Sequence, residues 1–560
     1  MKHKKILLLM IFTSGLFLRL FLLRKIPSGV TNDEANVAYD TFLLTQAGKD
    51  QWGKAWPLEF KGFGDYRLPA YQYLLFPFIK IFGMDPWVIR LPTAILGSLS
   101  ILLIYFFVCV FFKEFKQKEN LALITALVLA LNPWHFGMSR WIMESNVGLF
   151  FALLAIFFIL RNRKKDWLWA GISTVISFYT YYSLRFFLPL FLFFLIFFYK
   201  KWPKRRIVSF VFLIFIFCLP IIFSMFKTGG GLARVKQVNL THDMGLVGQI
   251  DEYRNACLKN TLFLKKEPIH QGVKIICTIL FNRPVFWTRQ FILNYFNHFS
   301  FSFLFFEKFE RAFQFLPPHS FFYFFNLPFF IIGLSALLLN FPKKWRFLII
   351  WLLIAPLADS LTGSDHYARS FVMVAPVLLF IAYGYWAIIV FLKKRFAKKL
   401  IFITTPFLTF YLLFTIQFFF KYFTYFPEKQ SKYSHYAYKP LFNYLKTLEN
   451  SYDNIYISRK SNNERQYIFY LYYNKISADK FFSSQITREE EANGWIIVRR
   501  YDKYHFIDEV GQIKKYPPNS LLVVGPKEIK KGKVIEVISF LDGKTAFKIF
   551  ETNELFYKNN

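Results

Sequence analysis

Long apolar runs separated by short clusters of Lys and Arg are the feature that most restricts what this chain can fold into. Most of the runs are long enough to cross the hydrocarbon core of a bilayer as a helix. The sequence therefore predicts a polytopic membrane protein. The runs fall near residues 6–23, 88–112, 121–138, 143–160, 166–183, 185–199, 207–226, 321–341, 346–362, 370–391 and 400–421.

The basic clusters between the runs predict how the chain is oriented in the membrane. Cytoplasmic loops of membrane proteins carry an excess of Lys and Arg. If the clusters near 2–5, 113–118, 161–165, 200–206, 343–346 and 393–399 are all cytoplasmic, the spans alternate without a conflict. This parity gives about eleven transmembrane helices and a cytoplasmic N-terminus. It places three segments outside the cell membrane, namely 25–87, 227–320 and 423–560.

Two features near the start of the chain need separate interpretation. Arg19 is the only charge within the first run and lies near its far end, where we expect it to snorkel to the surface. The apolar stretch 68–83 contains Pro69, Pro77 and Lys80, and the parity leaves no room for it to span. We expect it to form an interfacial or re-entrant helix.

Composition and charge exclude several classes of protein. The chain is 55% hydrophobic and 22% aromatic, which excludes a disordered or collagen-like chain. Its 70 Lys and Arg against 35 Asp and Glu give a net charge of +35. Because these cations lie in short loops between apolar runs, they indicate membrane topology, and we expect no nucleic-acid partner. The four Cys have no CxxC spacing, and the sequence leaves open whether Cys257 and Cys277 pair.

Residues 423–560 have a different character and predict a compact extracytoplasmic α/β domain. The segment 439–450 predicts an amphipathic helix. Short runs rich in aromatic and branched residues predict strands at 454–458, 466–473, 494–498, 521–524 and 534–540. The predicted organisation is a transmembrane domain over 1–422, with outer loops 25–87 and 227–320, followed by this domain.

Two adjacent carboxylates, Asp33 and Glu34, follow the first apolar run. Adjacent side chains point in different directions, so one carboxylate can act as a base while its neighbour orients a ligand. The same pair suits the first turn of a helix over 35–44, because carboxylates stabilise a helix N-terminus. The residues by themselves leave both interpretations open.

Candidate cations accompany these carboxylates on the predicted outer side. Arg67 lies beside Pro69 and Tyr71, where its planar guanidinium suits a phosphate and where it equally suits an interfacial anchor. Arg140 and Glu144 are four residues apart, so we expect them to share a helical face. They either pair with each other or form a functional site near the membrane plane.

The short loop 359–369 adds a further candidate set on the same side. It contains Asp365, His366 and Arg369, with the first and last four residues apart. A histidine in such a loop is more often structural than catalytic, and the spacing does not decide between these roles.

Taken together, these segments resemble the GT-C class of membrane glycosyltransferases, specifically glycosyltransferase family 39. That family includes protein O-mannosyltransferases and the bacterial lipid A aminoarabinose transferase. The likeness is strongest over residues 6–200, extends to 340–392 and is weak over 227–320 and 423–560. The matching motifs are Pro27-x-Gly29, Asp33-Glu34, Gly48-Lys49-Asp50, Asp65-Tyr66-Arg67-x-Pro69-x-Tyr71, Arg90-Leu91-Pro92, Ser139-Arg140-x-x-x-Glu144 and Asp365-His366-x-x-Arg369. The family commonly has Lys at the place of Arg67 and Asp at the place of Glu144.

The resemblance implies a GT-C fold and an inverting transfer of a sugar from a polyprenyl-phosphate donor on the outer face. The implied acceptor is a hydroxyl or amine of a protein, glycan or lipid. Fixed cations meet the need to stabilise a phosphate leaving group, so we expect no metal and no cofactor. The implied roles are general base for Asp33, positioning of acceptor or sugar for Glu34 and Glu144, and donor-phosphate binding for Arg67, Arg140, Arg369 and His366.

Two other functions remain open from the sequence. A transporter or flippase for lipid-linked glycans would place ionisable groups near the bilayer midplane and show repeats or broken helices. Here the charges lie at the ends of the spans. A structural scaffold would leave the acids and arginines of the outer loops without a task.

Overall fold

The structure of the chain is a computed structural model. It describes residues 2–200, 202–229, 239–242, 244–259, 271–307, 316–339, 346–363, 366–396, 400–461, 465–491, 494–513, 515–529 and 532–552.

The chain up to residue 423 is built from helices. The α-helices of this part are α1 (Lys2–Leu20), α2 (Asn32–Ala47), α3 (Ala70–Phe82), α4 (Pro86–Phe111), α5 (Lys118–Leu131), α6 (Pro133–Met138), α7 (Glu144–Arg161), α8 (Asp166–Thr180), α9 (Leu184–Phe194), α10 (Lys204–Thr228), α11 (Met244–Lys259), α12 (Gln271–Leu280), α13 (Arg283–Asn297), α14 (Leu327–Leu339), α15 (Arg346–Ile354), α16 (Leu357–Ser360), α17 (Val374–Arg395) and α18 (Leu400–Phe423). Short 3₁₀ turns lie at Leu240–His242, Phe324–Asn326 and Phe371–Met373, and π-helical turns lie at Leu195–Lys200 and Ser302–Phe306.

The helices bear out the prediction of a multi-pass membrane protein. Each predicted apolar run contains a helix. Five helical segments of the described chain are long and apolar enough to cross a bilayer, and shorter apolar helices lie at Leu184–Phe198 and Phe324–Ala336. The expected total of about eleven spans stays a prediction. The five segments are Pro86–Phe111, Glu144–Arg161, Lys204–Thr228, Phe371–Arg395 and Thr404–Phe423.

Burial along these helices is typical of a bundle surrounded by lipid. The most apolar part of α10 is only 22% buried by protein, and Phe212, Phe215 and Phe223 are exposed on this helix. The most apolar part of α4, by contrast, is 61% buried, and α4 packs against α1, α5 and α7. In a membrane protein, the apolar side chains on the outer face of such a helix are in contact with lipid.

The expected positions of two early features can be compared with the structure. Helix α3 spans thirteen residues, a length of about 20 Å, so it is too short to cross the hydrocarbon core. The prediction that Arg19 snorkels is wrong. Its guanidinium is fully buried and donates hydrogen bonds to Gly15 O and Ala130 O, and it lies 3.0 Å from His135 Nδ1. Internal carbonyl groups replace the water that a snorkelling arginine would reach.

Helices α14 and α17 pack with their backbones in contact. A Cβ added at Gly333 would lie 1.9 Å from Phe380 O, and one added at Gly384 would lie 1.9 Å from Phe329 O. Each glycine therefore faces the backbone of the other helix. Small residues at such positions let membrane helices approach closely.

The long loop after α10 folds partly into helices. Cys257 of α11 and Cys277 of α12 form a disulfide, which answers the question that the sequence left open. Residues 230–238 and 260–270 lie outside the described part, including two glycines of the run that starts at Gly229.

A seven-stranded sheet dominates the C-terminal region. After the hairpin of β1 (Phe60–Lys61) and β2 (Tyr66–Arg67), the strands are β3 (Asn454–Ser458), β4 (Ile486–Glu490), β5 (Ile496–Tyr501), β6 (Tyr504–Ile507), β7 (Ser520–Val524), β8 (Val534–Ser539) and β9 (Thr545–Glu551). The order across the sheet is β4-β5-β6-β3-β7-β9-β8, with β3 parallel to both of its neighbours. The helices are α19 (Phe426–Gln430), α20 (Tyr438–Thr447), α21 (Gln466–Asn474) and α22 (Ala478–Ser483), with 3₁₀ turns at Arg459–Ser461 and Val510–Gln512.

One of the predicted strands is wrong. Residues 466–473, rich in Tyr and Phe, form the helix α21, which is buried from Gln466 to Tyr472. Aromatic composition favours a strand, but a segment buried on all sides loses the periodicity that would distinguish the two structures. The other four predicted strands and the helix near 439–450 are confirmed. The domain boundary at residue 422 stays a prediction.

The C-terminal region contacts the loop between α1 and α4. Tyr39 OH donates to Ile476 O at 2.9 Å, Gly29 N donates to Ser434 Oγ at 3.0 Å, and Ile496 N donates to Phe63 O at 2.8 Å. These bonds join residues that are more than four hundred positions apart. The loop between α1 and α4 and the C-terminal region therefore lie on the same side of the helical bundle.

We expect Gly384→Ala to lower the midpoint of thermal unfolding of the purified protein, at a cost of about 1–3 kcal/mol or more. The added Cβ meets backbone atoms of Phe329, which cannot move aside as a flexible side chain would. Gly248→Ala is the matched control, because a Cβ there meets nothing within 4 Å. Equal midpoints for the two variants would contradict this account of the α14–α17 contact.

Candidate active site

The acidic pair begins helix α2. Thr31 is the N-cap residue, and its side chain accepts a hydrogen bond from Glu34 N while the Glu34 side chain accepts one from Thr31 N. This capping box satisfies two amide groups at the helix start and fixes the direction of each side chain that follows. Asp33 and Glu34 consequently point into different surroundings, as adjacent residues should.

Glu34 is fully buried and paired with Arg90 of α4. Its two carboxylate oxygens lie 2.8 Å from Arg90 Nε and 2.9 Å from Arg90 Nη2, and Ile142 N donates to Oε1 at 3.3 Å. Arg90 also donates to the carbonyl groups of Pro27 and Gly29. Both side chains have no exposed surface. Glu34 therefore holds the loop before α2 against α4, and its carboxylate does not reach the surface.

Asp33, in contrast, is exposed and held by Arg67. Its side chain is 65% exposed, and Arg67 Nη2 lies 2.6 Å from Asp33 Oδ1. Arg67 Nη1 also donates to Asp33 O at 3.0 Å. Arg67 is the last residue of β2, whose pairing with β1 fixes its position above α2. The fold thus brings together a carboxylate and a guanidinium that are 34 residues apart.

Several carboxylates surround Arg67. Burial disfavours the charge of this guanidinium, but Asp33, Asp65, Glu144 and Asp40 outweigh that effect and raise the pKa of Arg67. Glu144 is half-buried at the first turn of α7. The structure therefore brings Asp33, Arg67 and Glu144 into one electrostatic neighbourhood.

Arg140 and Glu144 do not lie on one helix, although the spacing predicted a shared helical face. Residues 140–143 are not helical, because α7 begins only at Glu144. Arg140 is fully buried and donates to Leu18 O at 2.7 Å, Arg19 O at 2.9 Å and Ile26 O at 2.8 Å. It satisfies carbonyl groups at the C-terminal end of α1, which otherwise lack partners. Its Nε also donates to Tyr422 Oη at 3.2 Å, so the whole guanidinium is enclosed within the fold.

Arg369 and His366 lie beside a buried carboxylate, Asp359. Arg369 Nη1 donates to Thr362 Oγ1 at 2.5 Å and lies 3.8 Å from Asp359 Oδ1. His366 N donates to Asp359 Oδ2 at 2.9 Å, and His298 Nε2 lies 2.9 Å from the same oxygen. Asp365 lies outside the described residues.

The described residues 359–363 and 366–370 lie at the same end of the bundle as Glu144. The turn Phe371–Met373 packs against α7, and the ring of Phe371 stacks on His135 with centroids 5.9 Å apart. Arg369 is 17% exposed at this end. The predicted residues therefore include one ion pair, between the exposed Asp33 and the largely buried Arg67, with Glu144 near it and Arg369 at the same end. Glu34 and Arg140, by contrast, lie inside.

Sequence reasoning overlooked four further charged residues. Arg90 lies in one of the matching motifs but had no role, although an arginine three residues into an apolar run signals a buried partner. Asp40, His298 and Asp359 gave no signal. His298 and Asp359 are 61 residues apart, and the partner of Asp40, Gln51, is held by the distant Tyr467.

Asp40 is a buried carboxyl near Arg67. Its Oδ1 accepts a hydrogen bond from Gln51 N at 3.1 Å, and Gln51 is in turn held by Tyr467 of the C-terminal region. Burial, with the nearby carboxylate of Asp50, raises the pKa of Asp40 to about 7. Asp40 therefore titrates near neutral pH at the contact between loop and C-terminal region.

His435 is a second titratable group that the C-terminal region places near Asp33. Burial lowers the pKa of His435 to about 4, although the charge of Asp33 acts in the opposite direction. The imidazole is therefore neutral at physiological pH. Within the described residues, no three His, Cys, Asp or Glu side chains are arranged to hold a metal ion.

The comparison with protein families confirms the resemblance over part of the chain. Residues 67–223 match the family model of dolichyl-phosphate-mannose-protein mannosyltransferases. This stretch contains Arg67, Arg90, Arg140 and Glu144. No curated protein sequence matches the chain significantly.

Solved structures confirm the fold. ArnT from Cupriavidus metallidurans in the apo state is 10% identical with a TM-score of 0.51, over 97% of both chains. The same protein bound to undecaprenyl phosphate gives 10% identity and a TM-score of 0.51, over 98% of this chain and 96% of the other. An oligosaccharyltransferase from Archaeoglobus fulgidus is 14% identical with a TM-score of 0.45. The match covers 83% of this chain but only 61% of the oligosaccharyltransferase. The chain has the GT-C fold that the resemblance implied.

We expect Glu34→Ala and Asp33→Ala to differ sharply in their effects on stability. Removing Glu34 leaves Arg90 buried without its counter-charge, at a cost of about 3–5 kcal/mol. Removing Asp33 should cost less, because its own side chain is 65% exposed and Asp65, Glu144 and Asp40 still surround the guanidinium of Arg67. Thermal unfolding of both purified variants checks this, and similar midpoints would contradict it.

Asp40 should make stability depend on pH. Its ordinary pKa of 3.8 rises to about 7 in the folded chain, so between these values the folded chain holds a proton that the unfolded chain has lost. Stability from this group therefore falls as pH rises from about 4 to about 7. The unfolding midpoint of Asp40→Asn, relative to wild type, should rise over this interval and then level off. Parallel midpoints from pH 4 to pH 8 would show that Asp40 ionises as in the unfolded chain.

Proposed function

We propose that this chain, which has the GT-C fold and matches the mannosyltransferase family model over residues 67–223, is a membrane glycosyltransferase. It moves a sugar from a polyprenyl-phosphate donor to an acceptor at the outer face of the cell membrane. The acceptor is a hydroxyl or amine of a protein, a glycan or a lipid.

The observation that carries the proposal is the exposed contact between Asp33 and Arg67. Asp33 is open to the surface, whereas Arg67 is only 11% exposed and fixed by the β1–β2 hairpin. Transfer from a lipid phosphate needs a base for the acceptor and a cation for the leaving phosphate. This contact supplies both groups within 2.6 Å of each other.

The proposed reaction is a single displacement. The acceptor gives its proton to Asp33 while its oxygen or nitrogen forms a bond to the anomeric carbon. The bond from that carbon to the phosphate oxygen breaks, and polyprenyl phosphate leaves with the electron pair. Attack from the face opposite to the leaving group inverts the configuration.

Arg67 has a double role in this scheme. In the free protein it is hydrogen-bonded to Asp33, so this carboxylate oxygen is occupied and does not face an acceptor. A donor phosphate competes for the guanidinium, because phosphate and carboxylate both accept bidentate hydrogen bonds from arginine. Binding of the donor therefore frees Asp33 to accept the proton of the acceptor.

The other charged residues take separate roles. Glu144, near Arg67, positions the sugar or the acceptor, and Arg369 with His366 contributes to the phosphate site. Glu34 and Arg140 act from inside the fold, where Glu34 sets the position of its neighbour Asp33. Guanidinium groups stabilise the leaving phosphate, so the reaction proceeds without a metal.

The positive-inside rule and the contacts of the C-terminal region support the outer face as the side of the reaction. The clusters of Lys and Arg lie at the opposite ends of the spans from Asp33. The C-terminal region bonds to the loop that carries Asp33, which supports the same side of the membrane for both. ArnT from Cupriavidus metallidurans binds undecaprenyl phosphate in its crystal structure, which supports a polyprenyl phosphate as donor carrier here.

We expect Asp33→Asn to lower sugar transfer by about 10²–10⁴-fold, because a general base contributes about this factor. The measurement is transfer of radiolabelled hexoses and pentoses from polyprenyl phosphate in reconstituted membranes. Asp85→Asn is the matched control, because Asp85 pairs with Arg24 at 2.7 Å and takes no part in the contact between Asp33 and Arg67. This control should retain the activity of the wild type.

The outcomes that would contradict the proposal are distinct. Equal transfer by wild type and Asp33→Asn would remove Asp33 from the mechanism. Loss of activity in EDTA that Mg²⁺ or Mn²⁺ restores would contradict metal independence. No transfer from any donor by the folded wild type, with movement of the lipid-linked sugar across the bilayer, would favour the transporter.

A further inference from the structure

A buried histidine–aspartate pair lies beside the proposed phosphate ligand Arg369. His298 follows the last residue of α13, and Asp359 belongs to α16. Both side chains are fully buried, and His298 Nε2 lies 2.9 Å from Asp359 Oδ2. Asn294 Nδ2 also donates to Ser360 O at 3.2 Å, so α13 and α16 are held together at this point.

The hydrogen bonds of His298 fix the number of protons that the pair holds. Nδ1 lies 2.7 Å from Asn294 O, a carbonyl oxygen that can only accept, so Nδ1 carries a proton. Nε2 faces a carboxyl oxygen, and a hydrogen bond there requires one more proton, on the ring or on the carboxyl group. With either arrangement the pair as a whole carries no net charge.

Arg369 approaches this pair without a hydrogen bond to it. Its Nη1 lies 3.8 Å from Asp359 Oδ1 and donates to Thr362 Oγ1 instead. Among the described residues, Asp359 Oδ1 accepts no hydrogen bond. A buried carboxylate with its full charge would form short charge-assisted bonds to a guanidinium within such reach. The gap is therefore consistent with a carboxyl group whose charge His298 already compensates.

We propose that His298 keeps Arg369 available for the phosphate of a polyprenyl lipid by neutralising Asp359. This inference rests on the proposed function, in which Arg369 binds that phosphate. Without the proton of His298, the carboxylate of Asp359 competes with the phosphate for the guanidinium. His298 and Asp359 are positioning residues, because they act through Arg369 and do not touch the lipid.

The test is the affinity of the full chain for undecaprenyl phosphate in lipid nanodiscs. We expect His298→Gln to weaken binding by about tenfold, the effect of losing one charge-assisted hydrogen bond. Asp359→Asn should stay within about threefold of wild type, since asparagine still accepts the bond from His366 N but carries no charge. The double variant should return to within about threefold of wild type, because the competing carboxylate is gone.

Two controls separate this role from a structural one. Undecaprenol has the same chain without the phosphate, and all variants should bind it equally. His505→Gln is the matched histidine control, because His505 pairs with Asn454 in the C-terminal sheet. It should bind undecaprenyl phosphate as the wild type does.

Each outcome either supports or overturns the inference. A double variant as weak as His298→Gln would overturn it, since the damage would then be structural. An unchanged affinity in His298→Gln would overturn it as well, while leaving the proposed function standing. A folded wild type that does not bind undecaprenyl phosphate would overturn both. If His298→Gln does not fold, Asp359→Asn decides, because a loss beyond about threefold contradicts neutralisation.

Discussion

The ion pair between Glu34 and Arg90 is the interaction on which the site depends. Neither side chain has any exposed surface, and each oxygen of the carboxylate is bonded to the guanidinium. A buried pair is tolerated only when its remaining hydrogen-bonding groups are satisfied. Here Thr31, Ile142 and the carbonyl groups of the loop before α2 satisfy them. The pair fixes the start of α2 and consequently the place where Asp33 reaches the surface.

Two further buried arginines extend the same principle to the end of α1. Arg140 donates to carbonyl groups of Leu18, Arg19 and Ile26, and Arg19 donates to Gly15 O and Ala130 O. The last carbonyl groups of a helix have no partners of their own, and inside a membrane protein water does not replace them. These charges therefore serve the architecture of the helix ends, which sets the distance between the loops that carry the exposed charges.

The sequence predicted the fold more completely than it predicted the site. The lengths of the apolar runs and the positions of the basic clusters are local properties of the sequence, and they located the helices. The roles of individual charges were less readable. Arg140 and Glu144 suited a shared helical face by spacing, yet the helix begins only at Glu144. Asp33 and Arg67 were both singled out, but their contact at 2.6 Å depends on the β1–β2 hairpin. The two strands of this hairpin have two residues each, which is too short for a recognisable sequence pattern.

The sequence by itself determined that this chain is a multi-pass membrane protein, that its charges gather at the ends of the helices, and that its motifs resemble the GT-C glycosyltransferases. These properties follow from segment length and residue order, which can be read from neighbouring residues alone. Only the tertiary structure decided which charges are exposed and which are buried. Burial depends on partners far along the chain, such as Arg90 for Glu34 and His298 for Asp359. A linear pattern carries no information about which distant residue neutralises a charge.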